Sequence, residues 1–402
     1  MNRFTSFVLL TGFATASFAA TTTPSSLSEA LAQGKFSLNA RLRYEGVQQT
    51  ALRDADALTL RSRLGFAPAA WRGWSALIEA ENIVAFDGDA YSQAGLNPGG
   101  AGRAVVADPE STELNQLFLG YTRGSTTTTV GRQRLVLDNA RFVGDVGWRQ
   151  NMQTFDAIVV QDKTLTTTTL TYAYLDRVNR VFGDKHAQGK WSSESHVFNA
   201  SYRGFKPGVL TGYAYLLDFK DAAVNSCATY GLSFAGTKAL SKEWQLAYRA
   251  ELATQSDYGR SALNYTARYA ALSAGLTGLP GSITLGYEEL GTDRNVGFKT
   301  PLATLHAFNG WADLFLATPA AGLRDGYLLA TAKLPAGTAL TVVYHRFTTD
   351  AGGRDLGDEI NAQLSRKFGR SINALVKWAD FRSDSAAYPD VRKLWAQVEF
   401  AY

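Results

Sequence analysis

Residues 36–46 read Phe36-Ser37-Leu38-Asn39-Ala40-Arg41-Leu42-Arg43-Tyr44-Glu45-Gly46. In an extended chain, successive side chains point to opposite faces. Leu38, Ala40, Leu42 and Tyr44 then share one face, and Asn39, Arg41, Arg43 and Glu45 share the other. The stretch reads as a strand with one apolar and one densely charged side.

The same period of two recurs along the chain. Over 58–66, Leu58, Leu60, Leu64 and Phe66 oppose Thr59, Arg61 and Arg63. Over 208–219, Val209, Tyr213, Tyr215, Leu217 and Phe219 share a face. Over 243–252, Leu246, Tyr248, Ala250 and Leu252 oppose Arg249 and Glu251. Over 263–269, Leu263, Tyr265, Ala267 and Tyr269 oppose Arg268. Over 360–367, Ile360, Ala362 and Leu364 oppose Asn361, Gln363 and Lys367. The chain ends on the alternating run Leu394 to Tyr402.

A soluble sandwich also alternates, but with shorter strands and bulky Val, Ile and Leu inside. Here many segments reach about 9–13 residues, enough for a tilted strand to cross a bilayer. Their polar faces carry Arg, Glu, Asn and Gln, which suits a wet interior. Tyr and Trp near strand ends suit an interfacial aromatic girdle. A backbone in lipid must pair all of its amides, so such strands must close on themselves.

The joins support closure. Short ones are expected near 67–72, 123–126, 162–164, 204–207, 237–241, 277–281, 334–337 and 368–371. Longer ones are expected near 46–57, 86–111, 134–152, 176–195, 219–227, 254–260, 291–326, 347–357 and 382–390. Short and long alternate, as periplasmic turns and outer loops do. The sequence thus predicts an all-β fold: a transmembrane antiparallel β-barrel of about eighteen strands, with sixteen the alternative because 112–122 and 291–326 read ambiguously. The threonine runs 126–129 and 166–169 are read as strand, since Thr suits strands.

Composition narrows the function. The 402 residues hold 22 Phe, 18 Tyr, 8 Trp and 37 Gly, and 19% are charged. That is below the soluble average of about 25%. Mean hydropathy of −0.13 is too polar for a bundle of membrane helices. The net charge of +4 lacks the concentrated excess of a nucleic-acid binder. A single cysteine, Cys227, rules out a disulfide framework, and four His leave little room for a His-based metal site. No cofactor is implied. The start, Met1-Asn2-Arg3 followed by an apolar run to Phe18 and Ser17-Phe18-Ala19, reads as a cleaved export signal over 1–20. A short periplasmic segment, 21–34, would precede a barrel over 35–402. No Cys stands at the cut, which argues against a lipid anchor. These features place the protein in an outer membrane of the Gram-negative type, in contact with its lipid.

One segment breaks the strand rhythm. It holds Gly131-Arg132-Gln133-Arg134, then Arg141-Phe142-Val143-Gly144-Asp145 and Trp148-Arg149-Gln150-Asn151, then Thr154-Phe155-Asp156-Ala157. Folded inward, its donors could line a constriction. Arg suits a carboxylate because its planar fork makes two parallel hydrogen bonds. The same residues could equally knit the loop to the wall by ion pairs.

These motifs resemble the alginate export family of outer-membrane β-barrels. The likeness is specific over roughly 131–157, and the strand rhythm extends it loosely over most of the mature chain. The resemblance implies an eighteen-strand barrel with an Arg-rich, electropositive constriction that passes an anionic polyuronate outward. It makes Arg132, Arg134, Arg141 and Arg149 the candidates for selectivity, and Asp145 and Asp156 of the same segment join them as expected pore-lining residues. The chain is shorter than alginate exporters, so the resemblance carries an Arg-lined channel further than it carries alginate.

Parity adds Arg41, Arg43, Arg61, Arg63, Arg249, Arg268 and Lys367 to the expected lumen. Arg on a lipid face at mid-bilayer costs roughly 2–4 kcal/mol. Glu45, Glu79, Glu81, Glu113, Glu251 and Glu288 are expected to share that interior. Arg132 and Arg134 conflict with this pattern, because they share parity with the apolar Val130. A bulge would re-aim them, or they lie above the bilayer.

Enzyme readings find little support. His186, His196, His306 and His345 are scattered, and no G-x-S-x-G or H-E-x-x-H pattern occurs. The expectation is a passive channel that favours anions, small or oligosaccharide, with a periplasmic export partner if a polymer is the cargo. The alternatives are an unselective general porin and a surface protein whose barrel is plugged by 134–152 and 291–326.

Overall fold

The computed structural model describes residues 23–402. The expected export signal, 1–20, lies outside the described residues. Ahead of the first strand, Leu27–Ala32 form helix α1, where the Ser26 hydroxyl accepts from the Glu29 amide.

The strands follow in chain order: β1 Lys35–Gln49, β2 Ala55–Ala67, β3 Trp74–Ala85, β4 Ser111–Arg123, β5 Thr126–Gln133, β6 Thr154–Asp162, β7 Thr168–Asn179, β8 Lys190–Tyr202, β9 Val209–Leu217, β10 Cys227–Ala239, β11 Gln245–Asp257, β12 Thr266–Thr277 and β13 Gly281–Leu290. A small ribbon, β14 Thr292–Asp293 and β15 Val296–Gly297, sits in the next loop. Then come β16 Leu323–Leu334, β17 Thr338–Thr348, β18 Asp355–Phe368, β19 Ile372–Ser383 and β20 Val391–Ala401. All but the ribbon form one 18-stranded sheet. β1 pairs with both β2 and β20, Arg41 lying opposite Arg61 on one side and Glu399 on the other, so the sheet closes.

Of the two stretches left open by the sequence, 112–122 is strand β4, whereas 291–326 is a loop up to residue 322 that carries only the small ribbon before β16 begins; the sheet has eighteen strands. Turns and loops alternate as expected. The join expected over 46–57 shrinks to 50–54, because β1 runs on to Gln49 and β2 starts at Ala55. Thr166 and Thr167 lie in the turn before β7, so only the end of that threonine run is strand. At the two-residue turn between β4 and β5, Gly124 takes φ +60°, which a side chain would resist.

The wall is inverted relative to a soluble protein. Leu64, Leu252 and Leu285 are 58–67% exposed on the outside, while Glu45, Arg61 and Asn361 are fully buried inside. Lipid covers the first set, while in the second Glu45 accepts from Arg149 and Arg61 donates to Glu399 inside the lumen.

Two strand faces run against expectation. Tyr213, Tyr215 and Leu217 of β9, and Tyr265, Ala267 and Tyr269 around the start of β12, are buried inside the barrel. Phe142 and Phe298, from loops, pack on them: Phe142 lies 5.3 Å from Tyr213 and 5.2 Å from Tyr269, and Phe298 lies 5.4 Å from Tyr269. An apolar face can point inward where loops fill the lumen and supply an apolar partner. Arg268, one residue out of phase with Ala267 and Tyr269, therefore stands exposed on the outer face of β12 and not in the lumen.

Candidate functional site

Four neighbouring strands, β19, β20, β1 and β2, bring Lys377, Lys393, Arg41, Arg43, Arg61 and Arg63 to one side of the lumen, all buried. Like charges directly opposite each other destabilise a sheet. Glu399 answers this for the Arg41–Arg61 pair: its carboxylate accepts from Arg41 at 3.3 Å and from Arg61 at 3.0 Å. Arg63 pairs with Glu81 of β3, and Arg43 takes the Gln397 amide oxygen at 2.7 and 3.0 Å. Next to them round the wall, Glu288 of β13, Asp325 of β16 and Glu359 of β18 are buried, with β18 paired directly to β19. The lumen thus has a basic arc adjoined by an acidic arc.

Loop 134–153 bridges them. Near its start, Arg134 pairs with Asp145 of the same loop. Arg141 reaches the acidic side, with Nε and Nη2 at 2.6 and 3.1 Å from the Glu288 carboxylate and Nη2 at 2.9 Å from Asn309 Oδ1. Arg149 reaches the basic side, donating to Glu45 of β1 and to Asp313, each at 2.9 Å. Arg41 donates to the carbonyls of Gly147, Trp148 and Arg149 at 3.2–3.3 Å. The Gln150 side-chain amide donates to Thr59 Oγ1 at 2.9 Å. Burial works against charge on both loop arginines. Glu288 outweighs it at Arg141, and Glu45, Asp108 and Asp313 outweigh it at Arg149, so both pKa values stand above the ordinary one.

Two further loops meet this one. From 86–110, the buried Asp108 accepts from the Gln150 amide at 2.8 Å and faces Arg43 at 3.5 Å. From 291–322 come His306, Trp311 and Asp313. Glu359 fastens this loop by accepting the Trp311 and Ala312 amides at 2.5 and 3.0 Å. The His306 ring stacks on Trp148 at 4.5 Å, with 3° between planes. Its Nδ1 lies 2.7 Å from Asp313 Oδ1, and its Nε2 lies 2.7 Å from Lys377 Nζ. An ammonium only donates. His306 therefore accepts at Nε2, carries its proton on Nδ1 and is neutral. Burial, helped by Lys377, holds its pKa well below the usual imidazole range despite Asp313. For Asp313, burial is outweighed by His306, Lys393 and Arg149, and its pKa falls well below the carboxylate range.

The Lys377 ammonium lies over the Trp311 ring at 3.7 Å and the Trp148 ring at 4.2 Å, while the Arg43 guanidinium lies 4.1 Å over Trp148. Such desolvated cation–π contacts are worth up to about 2 kcal/mol. Beside this cluster is a cavity of about 360 Å³ lined by Trp148, Arg249, Tyr269, Glu288, His306, Asp325, Tyr327, His345 and Lys377, among others. Arg249 pairs with Glu251 at 2.8 Å, and His345 with Asp325 at 2.9 Å. A second cavity, about 530 Å³, lies among the outer loops.

Of the residues expected at the site, Arg41, Arg43, Arg61, Arg63, Arg141, Arg149 and Arg249 face the lumen or the loops filling it, and Asp145 lies in the bridging loop. Arg132, Asp156 and Arg268 do not. Arg132 and Asp156 lie opposite each other on β5 and β6 and share the outward face with the exposed Val130 and Ile158. Arg132 Nε is 2.6 Å from Asp156 Oδ1, and Arg177 lies 3.7 Å from Asp156. A register shift at Asp156/Ala157 accompanies this pair, but it does not turn Arg132 inward. Gly131 takes φ +121° where any Cβ would strike the Leu117 carbonyl, which explains the glycine in that motif.

Sequence reasoning missed Asp108, Asp313, Lys377, Lys393 and Glu399 as members of the site. Lys377, Lys393 and Glu399 were legible by parity. Asp108 and Asp313 were not, since an irregular loop carries no periodicity. Ser195 is buried inside β8 and His196 faces out, so the pair cannot act together. Among the described residues, no group of three or more His, Cys, Asp or Glu could hold a metal ion.

A closed eighteen-strand barrel, apolar outside, charged within and constricted by infolded loops, defines an outer-membrane protein of the porin type. The profile of the alginate export family matches residues 33–289, and the chain belongs to that family. Among solved structures, Pseudomonas aeruginosa OpdK with vanillate superposes with a TM-score of 0.73 at 15% identity, over 92% of this chain and 99% of that one. Acinetobacter baumannii OccAB3 gives 0.73 at 13% identity, over 92% and 99%. Acinetobacter baumannii OccAB4 gives 0.71 at 12%, over 92% and 98%. At such identity the likeness is one of fold. No curated protein matches the chain in sequence.

Proposed function

We propose that the protein is a passive channel for small anionic solutes, with the junction of loop 134–153 and the basic wall as its selective constriction. The observation that carries this reading is the grouping of Arg41, Arg43, Arg61, Arg63, Lys377 and Lys393 on adjacent strands, with Arg141 and Arg149 carried across the lumen. Charged side chains at a constriction set the barrier for each ion sign. A basic arc beside an acidic one also sets a transverse field that orients a charged solute. OpdK, of the same fold, was solved with vanillate, a small aromatic carboxylate.

Small solutes fit better than a polymer. Three loops meet in the lumen and leave a cavity of about 360 Å³ beside them. That is the scale of a small-molecule site. Polyuronate export, with or without a periplasmic partner, would need loops 134–153 and 291–322 displaced together. The test is planar-bilayer conductance under a KCl gradient. A reversal potential toward chloride supports the reading. Unselective current favours a general porin. Absence of current favours a plugged barrel, a second reading that the infolded loops also support.

A further inference from the structure

The arginines at the constriction are bound up with carboxylates, but two cations at the outer mouth make no ion pair among the described residues. Arg180 follows β7, and Lys299 follows the β14–β15 ribbon. Both line the outer cavity of about 530 Å³, and among the described residues no Asp or Glu lines it. Neither residue makes an ion pair within the described chain. The inner cavity, in contrast, has Asp145, Glu288 and Asp325 in its walls.

Both cations are held in place by aromatic rings and carbonyls and not by a carboxylate. The Arg180 guanidinium is sandwiched, 3.9 Å over Trp191 and 5.2 Å over Phe182. Its Nη1 donates to the Gln188 carbonyl at 3.2 Å, and its buried Nε has no partner. Burial alone lowers its pKa to about 10, so it stays charged at neutral pH. Lys299 is clamped through its backbone: Gln255 accepts from its amide and donates to its carbonyl, each at 2.7 Å. Its Nζ donates to the Val224 carbonyl and lies 5.0 Å over the Tyr265 ring.

The rest of the cavity is largely apolar. Trp191, Val224, Leu263, Val296, Leu305 and Leu316 line it, and Val224 and Leu316 are exposed. Exposed apolar side chains beside unmatched, oriented cations suit a ligand that has an apolar body and a single anionic end.

We infer that the outer cavity is a binding site for a small amphiphilic carboxylate, with Arg180 and Lys299 taking the carboxylate and the apolar side chains taking its body. The site does not depend on the direction or selectivity of conduction, so it can stand or fall apart from the channel reading.

The test is equilibrium calorimetry on the detergent-solubilised barrel, with benzoate, acetate and benzyl alcohol as probes. Benzoate is expected to bind. Arg180→Gln with Lys299→Gln should weaken it by about tenfold or more, the loss of charge-assisted hydrogen bonds. Acetate, with no body, and benzyl alcohol, with no charge, should each bind at least about tenfold more weakly than benzoate. Val296→Glu, which sets a carboxylate in the wall and leaves both cations in place, should abolish binding. Four results would each overturn the assignment: no benzoate binding by the native protein, undiminished binding by the double variant, undiminished binding by Val296→Glu, or acetate binding as tightly as benzoate. The KCl reversal potential, measured on the same preparations, reports separately on the channel reading.

Discussion

Replacing Arg141 and Arg149 together with Ala removes the two cations that loop 134–153 carries across the lumen. The native pair makes bonds of 2.6 and 3.1 Å to Glu288 and of 2.9 Å to both Glu45 and Asp313. Two effects follow. The first is electrostatic. For an ion passing about 8 Å away through water, two unit charges are worth about 1 kcal/mol, opposite in sign for chloride and potassium. The permeability ratio then shifts by about 2 kcal/mol, and salt screening trims this to roughly tenfold toward potassium. The second effect is mechanical. Each charge-assisted hydrogen bond is worth about 1.5–3 kcal/mol. A net loss of about 3 kcal/mol raises the population of the undocked loop by roughly 100-fold, and mean conductance rises with it. Planar-bilayer recording measures both effects in one experiment. Arg141→Lys with Arg149→Lys separates them, because it keeps the charge and loses the fork. That variant should conduct more than native with its reversal potential little changed. A double Ala variant with native reversal potential would refute the reasoning: both arginines would then be fasteners that passing ions do not sense.

Other outcomes follow from the same geometry. Lys377→Met removes the ammonium seated over Trp148 and Trp311. It should reduce chloride preference severalfold, by roughly the worth of one nearby charge, in the same reversal measurement. Arg268→Gln and Arg132→Ala should leave selectivity unchanged, because both side chains are outside the lumen. Arg132→Ala should still cost about 1 kcal/mol of stability through its half-buried pair with Asp156, read as a lower thermal midpoint. Acid should loosen loop 291–322. His306, ordinarily near 6.5, is held lower when docked, so the undocked loop binds the proton first and docking weakens as pH falls below 6.5. Asp313 is held below 3.8, and its contribution is lost further down as pH passes through its docked value. Gating noise recorded from about pH 8 to about pH 4 should rise accordingly, and His306→Gln should remove the upper phase of that rise.

The alternation of Leu38, Ala40, Leu42 and Tyr44 against Asn39, Arg41, Arg43 and Glu45 was enough to fix a strand, its lipid face and its lumen face. This is because period two is a local property of an extended chain. Repeated along the chain with alternating turn lengths, it determined a closed barrel, and the ordinary strand number followed from counting joins. It also placed Arg41, Arg43, Arg61, Arg63 and Arg249 inside. Parity alone failed at Arg268, Tyr213 and Tyr215. Their faces are apolar inward because Phe142 and Phe298 arrive there from loops that are distant in sequence. It also left Arg132 undecided, which only the pairing of β5 with β6 and its half-buried Asp156 partner resolves. What only the tertiary structure decided is how the loops fill the lumen: Arg141 on Glu288, Arg149 on Glu45 and Asp313, and Trp148 on His306. These partners are 104 to 164 residues apart, and in each pair at least one member sits on an infolded loop. No periodicity encodes such contacts, because they are chosen by the burial of charge, which must find an opposite charge wherever the closed wall brings one within reach.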